Sequence, residues 1–235
     1  MSPWANTLPP SAPARLGSRV SYARSVDEIE AAGFLFDMDG TLVDSTAVVE
    51  SVWTEFCLRN DVDPVALLAY AHGRQAVDTV AHFLPALTET ERAALVAELV
   101  AQELTRTEGI VEIPGAGMLL ERLLADGAPV AVVTSAPREL AVVRMRAAGV
   151  PVPDVLIAAE DVQRGKPDPQ GYRLAAERLG VPIADSVVFE DAEAGLVAAV
   201  ASGARVVVVG AHESAITADL PRLRDYRAFT ATLAS

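Results

Sequence analysis

Gly33-Phe34-Leu35-Phe36-Asp37-Met38-Asp39-Gly40-Thr41 is the stretch on which the reading of this chain turns. A short apolar run ends abruptly in two carboxylates on alternate residues, then a glycine and a hydroxyl. An apolar run closed by a turn signal reads as a buried strand, here one that delivers Asp37 and Asp39 into a common pocket. Two clustered anions repel each other unless a cation or a shared proton holds them. The segment is therefore a candidate Mg2+ and phosphoryl-transfer site. At this point the alternative is a strand followed by a solvated Asp-Gly turn.

Outward from Gly33 the pattern alternates β-branched runs with amphipathic stretches. Val130-Ala131-Val132-Val133, Val155-Leu156-Ile157-Ala158, Val187-Val188-Phe189 and Val206-Val207-Val208-Val209 read as buried parallel strands. Helical segments are expected near 115–126, 137–148, 168–179 and 192–202. Such alternation predicts an α/β fold built on a doubly wound, mainly parallel sheet. Its ligand site should lie at the carboxyl ends of the strands, near the topological switch point. The stretch 46–112 breaks the alternation and reads as helical throughout, with Val48, Val49, Val52, Trp53 and Phe56 at helical spacing. Thr88-Glu89-Thr90-Glu91 is a capping box opening one of these helices, which should run to about Thr107. The expected organisation is thus a tail over 1–24, an α/β core over 25–45 and 113–235, and an all-helical cap over 46–112, placed above the strand ends to act as a lid.

Three further segments end strands in chemistry. Thr134-Ser135 precede Pro137, and hydroxyls with backbone N–H donors at a helix N-terminus form a phosphate cradle, although such a pair also serves as a plain cap. Lys166 lies in Arg164-Gly165-Lys166-Pro167-Asp168-Pro169 and is the only lysine in the chain. In a sequence so biased toward arginine, a lysine here suggests that a compact point charge is needed to neutralise a phosphate and its nucleophile. Glu190 and Asp191 follow Val187-Val188-Phe189. Together with Asp37 and a main-chain carbonyl of Met38 or its neighbour, Asp191 would supply the sparse oxygen shell that Mg2+ prefers. Asp39 is counted among the candidate ligands, and Glu190 is either a further ligand or one step removed. Thr41 can bond the phosphate or its own loop. One carboxylate of the first pair can attack phosphorus, while the second protonates the leaving oxygen and later deprotonates water.

Composition narrows the partners. Thirty-two acidic residues against nineteen basic ones give a net charge of −13, which argues against nucleic acid or an anionic membrane. Cys57 is the single cysteine, so no intramolecular disulfide forms, and a reducing cytoplasm suits the chain. No apolar run approaches the ~18 residues that span a bilayer. Residues 1–24 are rich in Pro, Ser, Ala and Arg without an apolar h-region, and read as a tail with no chemical role. The expected partner is a small phosphorylated metabolite, and the expected state is a monomer or weak homo-oligomer.

The order DxDGT, strand-terminal Thr/Ser, Lys and acidic pair resembles the haloacid dehalogenase superfamily over about 33–235. The resemblance implies a Rossmann-like core carrying a C1-type helical cap. It implies that Asp37 is the nucleophile, Asp39 the acid/base, Thr134 or Ser135 the phosphate ligand and Lys166 the charge stabiliser, with Asp191, Asp37 and the Met38 carbonyl on Mg2+. The second Asp favours phosphate over halide. Shorter runs, Ala71-His72-Gly73-Arg74-Gln75-Ala76 and Thr107-Glu108-Gly109-Ile110, look like those of bacterial sugar phosphatases, and suggest His72, Arg74 and Gln75 as substrate contacts. The alternative activity is a β-phosphoglucomutase-type isomerase, whose cap pattern Lys-Gly-x-x-Arg-x-Asp is met here by His72-Gly73-Arg74-Gln75-Ala76-Val77-Asp78, without its arginine.

Overall fold

The structure, a computed structural model, describes residues 26–234; the tail expected over 1–24 lies outside them. Strands β1 (Glu28–Ala31), β2 (Gly33–Phe36) and β3 (Val43–Asp44) are followed by four helices with no strand between them, α1 (Thr46–Asn60), α2 (Pro64–Ala71), α3 (Ala76–Phe83) and α4 (Glu89–Thr105). The chain then runs through β4 (Val111–Glu112), α5 (Ala116–Ala125), β5 (Val130–Val133), α6 (Arg138–Ala147), β6 (Val155–Ile157), α7 (Gln170–Leu179), β7 (Ser186–Glu190), α8 (Glu193–Ser202), β8 (Arg205–Val209), β9 (Arg222–Leu223) and β10 (Thr230–Leu233).

Six strands form one sheet in the order β6-β5-β2-β7-β8-β9, and every pairing in it is parallel. β2 sits between β5 and β7, where the strand order reverses, so its carboxyl end opens into the crevice that a doubly wound sheet offers to ligands. A parallel sheet must be covered on both faces, and the period of two along each strand sorts the side chains accordingly. Phe34, Phe36, Val130, Val132, Val187 and Phe189 pack toward Leu119, Leu120 and Leu123 of α5 and Leu140 and Met145 of α6. Leu35, Ala131, Val133 and Val188 pack the other way, against Tyr172 and Ala175 of α7 and Leu196 and Ala199 of α8. Phe36 stacks on Phe189 with centroids 4.6 Å apart, tying β2 to β7 directly beneath the strand ends. Each fully buried phenylalanine contributes roughly 2–3 kcal/mol through removal from water.

The inserted helices have a core of their own, built from Val52, Trp53, Phe56, Cys57, Leu67, Val80 and Leu99. The capping box at Thr88 is present, and α4 ends at Thr105, close to the expected end. Residues 111–112 depart from the expected helix. They form β4, antiparallel to β3 in the register Val43↔Glu112 and Asp44↔Val111, so the segment entering the insert pairs with the one leaving it. A two-residue strand has no periodicity to read. β1 and β10 form a parallel ribbon outside the main sheet, also absent from the sequence reading, because Glu28 and Glu30 interrupt any apolar signal there.

Candidate active site

The site begins where β2 stops. Asp37 donates its backbone N–H to the Phe189 carbonyl at 3.0 Å, the last link to β7 before the chain turns. The Met38 carbonyl then accepts from the amides of Thr41, Leu42 and Val43 at 3.3, 2.8 and 3.0 Å, which folds the acidic pair into a tight loop. Gly40 has φ +84°, and a Cβ there would overlap the Asp191 carboxylate. Only glycine meets both demands. Thr41, read as a phosphate or loop contact, is fully buried and donates to Asp191 Oδ1 at 2.9 Å. The methionine side chain is buried in the core, and the loop amides occupy its carbonyl.

Beneath the loop lies one buried cation among carboxylates. Lys166 Nζ pairs with Asp37 Oδ1 and lies 2.7 Å from Glu190 Oε1. Glu190 also accepts from the Tyr172 hydroxyl at 3.2 Å and, through Oε2, from the amides of Asp191 and Ala192 at 2.7 and 2.8 Å. A Cβ on Gly195 would overlap this carboxylate, so α8 carries glycine where Glu190 enters. Burial pushes the Asp37 carboxyl up to about 7; Lys166 pulls it back and Glu190 pushes it up again. Burial likewise raises Asp191, reinforced by Glu190 and Asp37. Burial opposes the Lys166 charge, but Asp37 and Glu190 outweigh it and hold the ammonium well above ordinary lysine. One oxygen each from Asp37, Glu190 and Asp191 lies within 4.8 Å of the others. Hard oxygen donors, with more negative charge than the lysine balances, fit a small divalent cation. Both Glu190 oxygens already have protein donors, whereas Asp191 Oδ2 has no hydrogen bond among the described residues.

Asp39 stands apart from that cluster. Its Oδ1 accepts from the Ser45 hydroxyl at 2.6 Å, and its Oδ2 from Arg144 Nη1 at 2.8 Å. Asp37, Asp39, Thr134, Ser135, Arg144 and Asp191 face a cavity of about 130 Å³, lined on its other side by His72, Arg74 and Ala76 of the inserted segment. Thr134 is buried and its hydroxyl accepts from the Ala136 amide at 3.0 Å, while the Ser135 hydroxyl donates to the Gly73 carbonyl at 2.9 Å, a bond from core to insert. His72 is half exposed, 3.9 Å from Glu50. The Arg74 guanidinium lies 4.4 Å over the Tyr70 ring, which stacks on His82. Gln75 does not line the cavity: it donates to the Ala159 carbonyl at 3.1 Å and covers Gly165, beside the lysine.

Sequence reading missed Arg144, Glu103, Ser45 and Tyr172. Arg144 is on the buried stripe of α6 with Leu140, Ala141 and Met145, and Glu103 is one turn beyond the buried Leu99 on α4. A charge on an apolar stripe was the available signal. Tyr172 carried none, since a tyrosine there packs as any aromatic would.

A family model described as haloacid dehalogenase-like hydrolase matches residues 31–203. The chain is 44% identical over 193 residues to hexitol phosphatase A of Escherichia coli (strain K12), covering 82% of this chain and 87% of that protein. It is 35% identical over 190 residues to 2-deoxyglucose-6-phosphate phosphatase 2 of Saccharomyces cerevisiae, covering 74% and 77%. A hydrolase from Pseudomonas syringae of known structure, 24% identical, has the same fold with a TM-score of 0.73 over 83% of this chain and 93% of that one. A match across most of the described residues, with relatives this similar over most of their length, makes the chain a member of the haloacid dehalogenase-like hydrolases and an enzyme of that family.

Proposed function

We propose that this enzyme is a Mg2+-dependent phosphatase that hydrolyses small phosphorylated sugars or polyols through an aspartyl phosphate on Asp37. The observation that carries the reading is the pairing of Lys166 with both Asp37 and Glu190, beside Asp191, at the end of the central strand. It supports a nucleophilic carboxylate held by a fixed cation, with room for a second, divalent one. Its sequence identity to hexitol phosphatase A and 2-deoxyglucose-6-phosphate phosphatase 2 favours a sugar or polyol substrate.

Asp37 and Asp191 would hold the cation. The loop amides engage the Met38 carbonyl, so we assign the main-chain ligand to its neighbour, the Asp39 carbonyl. When bound, Mg2+ supplies positive charge opposite the phosphoryl oxygens. We assign Glu190 to orienting Lys166. In the first half-reaction an Asp37 oxygen attacks phosphorus, the bond from phosphorus to the leaving oxygen breaks, and Asp39 gives that oxygen its proton. In the second, water gives a proton to the Asp39 carboxylate and attacks phosphorus. The bond to Asp37 breaks, returning the free carboxylate and releasing phosphate. Lys166 balances the anion throughout. Thr134 is our candidate for the phosphate contact, since Ser135 is committed to Gly73. His72 and Arg74 are candidates for substrate contact from the insert, which acts as a lid that excludes water. Gln75 is assigned to holding the insert on the core. Ala76 faces the cavity where the mutase pattern carries its arginine, which leaves a second phosphate without that partner.

Phosphate release from a panel of hexose, hexitol, glycerol and glycolytic phosphates tests the reading. It predicts Mg2+-dependent turnover, abolished by EDTA, with hexitol, hexose or glycerol phosphates preferred. Silence across the panel with Mg2+ present would contradict it.

A further inference from the structure

Among the described residues, Arg144 is the one guanidinium bonded to the loop of Asp37 and Asp39, and it does not stop there. It projects from the last turn of α6 and is only 4% exposed. Nη1 donates to Asp39 Oδ2 at 2.8 Å. Nη2 lies 3.3 Å from Glu103 Oε1, on the last helix of the insert, without the alignment of a hydrogen bond. Nε has no partner. A single buried cation is thus divided between two carboxylates, one beside the reacting atoms and one on the inserted helices, and the division is unequal.

The other Asp39 oxygen points to the same seam. Its partner, Ser45, is the residue immediately before α1, where the chain first enters the insert. Glu103 lies two residues before the end of α4, where the chain prepares to return. One oxygen of Asp39 is therefore held at the first crossing between core and insert, and the other by a core arginine that also faces the second. A buried guanidinium with unsatisfied donors is costly, and it gains by drawing closer to whichever anion approaches. If α4 settles further onto α6, Glu103 takes more of Arg144 and loosens its hold on Asp39. If α4 lifts, Arg144 belongs wholly to Asp39 and draws that carboxylate out of the pose that the shared contact sets.

We infer that Arg144 is a positioning residue, which couples the docking of the inserted helices to the pose of the Asp39 carboxylate, with Glu103 as the competing anion. The inference rests on the acid/base reading of Asp39 above.

The test separates leaving groups. An alcohol leaving from a hexitol or glycerol phosphate needs the Asp39 proton, whereas nitrophenolate leaving from p-nitrophenyl phosphate does not. Arg144→Met should lower kcat for the polyol phosphate by about 30-fold or more with KM changed less than about threefold, the size expected for a general acid out of place. The burst of nitrophenolate, which reads phosphoryl transfer to Asp37, should fall less than about threefold in the same variant. Glu103→Gln keeps the shape and removes the competing charge. It should show the same split at about tenfold, and it carries the test if Arg144→Met does not fold. Arg144→Lys, which can reach one carboxylate but not bridge two, should restore thermal stability and leave the polyol rate low. Equal loss in the polyol phosphate rate and in the nitrophenolate burst, or no loss in either, overturns the inference while the phosphatase reading stands. Wild-type protein inactive on both substrates removes the reading and the inference with it.

Discussion

Asp37 and Glu190 share one lysine, with the Asp191 carboxylate beside them, and the sign of that imbalance sets how the protein responds to pH. The Asp37 carboxyl is raised to about 7, by burial first, so the folded protein holds its proton more tightly than the unfolded chain does. The stability this group contributes is fully present below the unfolded pKa and is lost as pH rises through about 7. Melting in chelator should therefore fall progressively from about pH 4 to about 7 and level off above that, and saturating Mg2+, which favours the anion, should remove the fall. Melting curves with EDTA and with Mg2+ check this; identical pH profiles would contradict it. Lys166 is the second residue-scale case. Its ammonium fits between Asp37 and Glu190 with almost no solvent contact, and a planar guanidinium does not. Lys166→Arg should lower kcat at least about 100-fold despite keeping the charge, and phosphate-release kinetics would read the loss directly.

At the scale of elements, the parallel strands and their helices were legible because buried β-branched runs and 3.6-residue stripes are strong, local signals. Residues 130–133 and 206–209 could hardly be anything else, and the structure has strands there. β4 and the β1–β10 ribbon were not legible, because two-residue pairing and an edge strand bearing Glu28 and Glu30 depend on the partner rather than on the segment itself. The site divides the same way. Asp37, Glu190 and Asp191 announce themselves at strand ends, and Lys166, in the loop between β6 and α7 rather than at the strand end expected, as the chain's single lysine, while the Arg144 bridge exists only once α4 lies on α6. Whether Thr41 faced phosphate or loop was equally a question of packing, and its hydroxyl goes to Asp191. Two substitutions probe the elements. Gly195→Ala puts a methyl into the Glu190 carboxylate, and should cost roughly 1–3 kcal/mol in denaturant unfolding while also lowering activity through Lys166. Thr88→Ala removes the capping box of α4 and should cost about 1 kcal/mol with kcat unchanged. A Gly195→Ala protein with wild-type stability and turnover would show that the close approach in α8 is unimportant.

For the whole molecule, a net charge of −13 and a phosphorylated substrate stand in opposition. The site's local cations reverse the sign only at short range, so encounter should benefit from screening. At fixed Mg2+, kcat/KM should rise several-fold, on the order of 3-fold, between low and physiological ionic strength, with kcat unmoved. The proposed division of labour, with the reacting groups at the sheet and the insert as lid, makes the covalent step the point on which the account depends. Rapid acid quench after mixing with p-nitrophenyl phosphate, followed by peptide mass analysis, measures it. The account predicts a phosphoryl group on Asp37 that accumulates in Asp39→Asn protein, because water then lacks its base, and that is absent from Asp37→Asn. Full turnover with no phosphoryl group on Asp37 in either the wild-type or the Asp39→Asn protein, or turnover that survives Asp37→Asn, would contradict it.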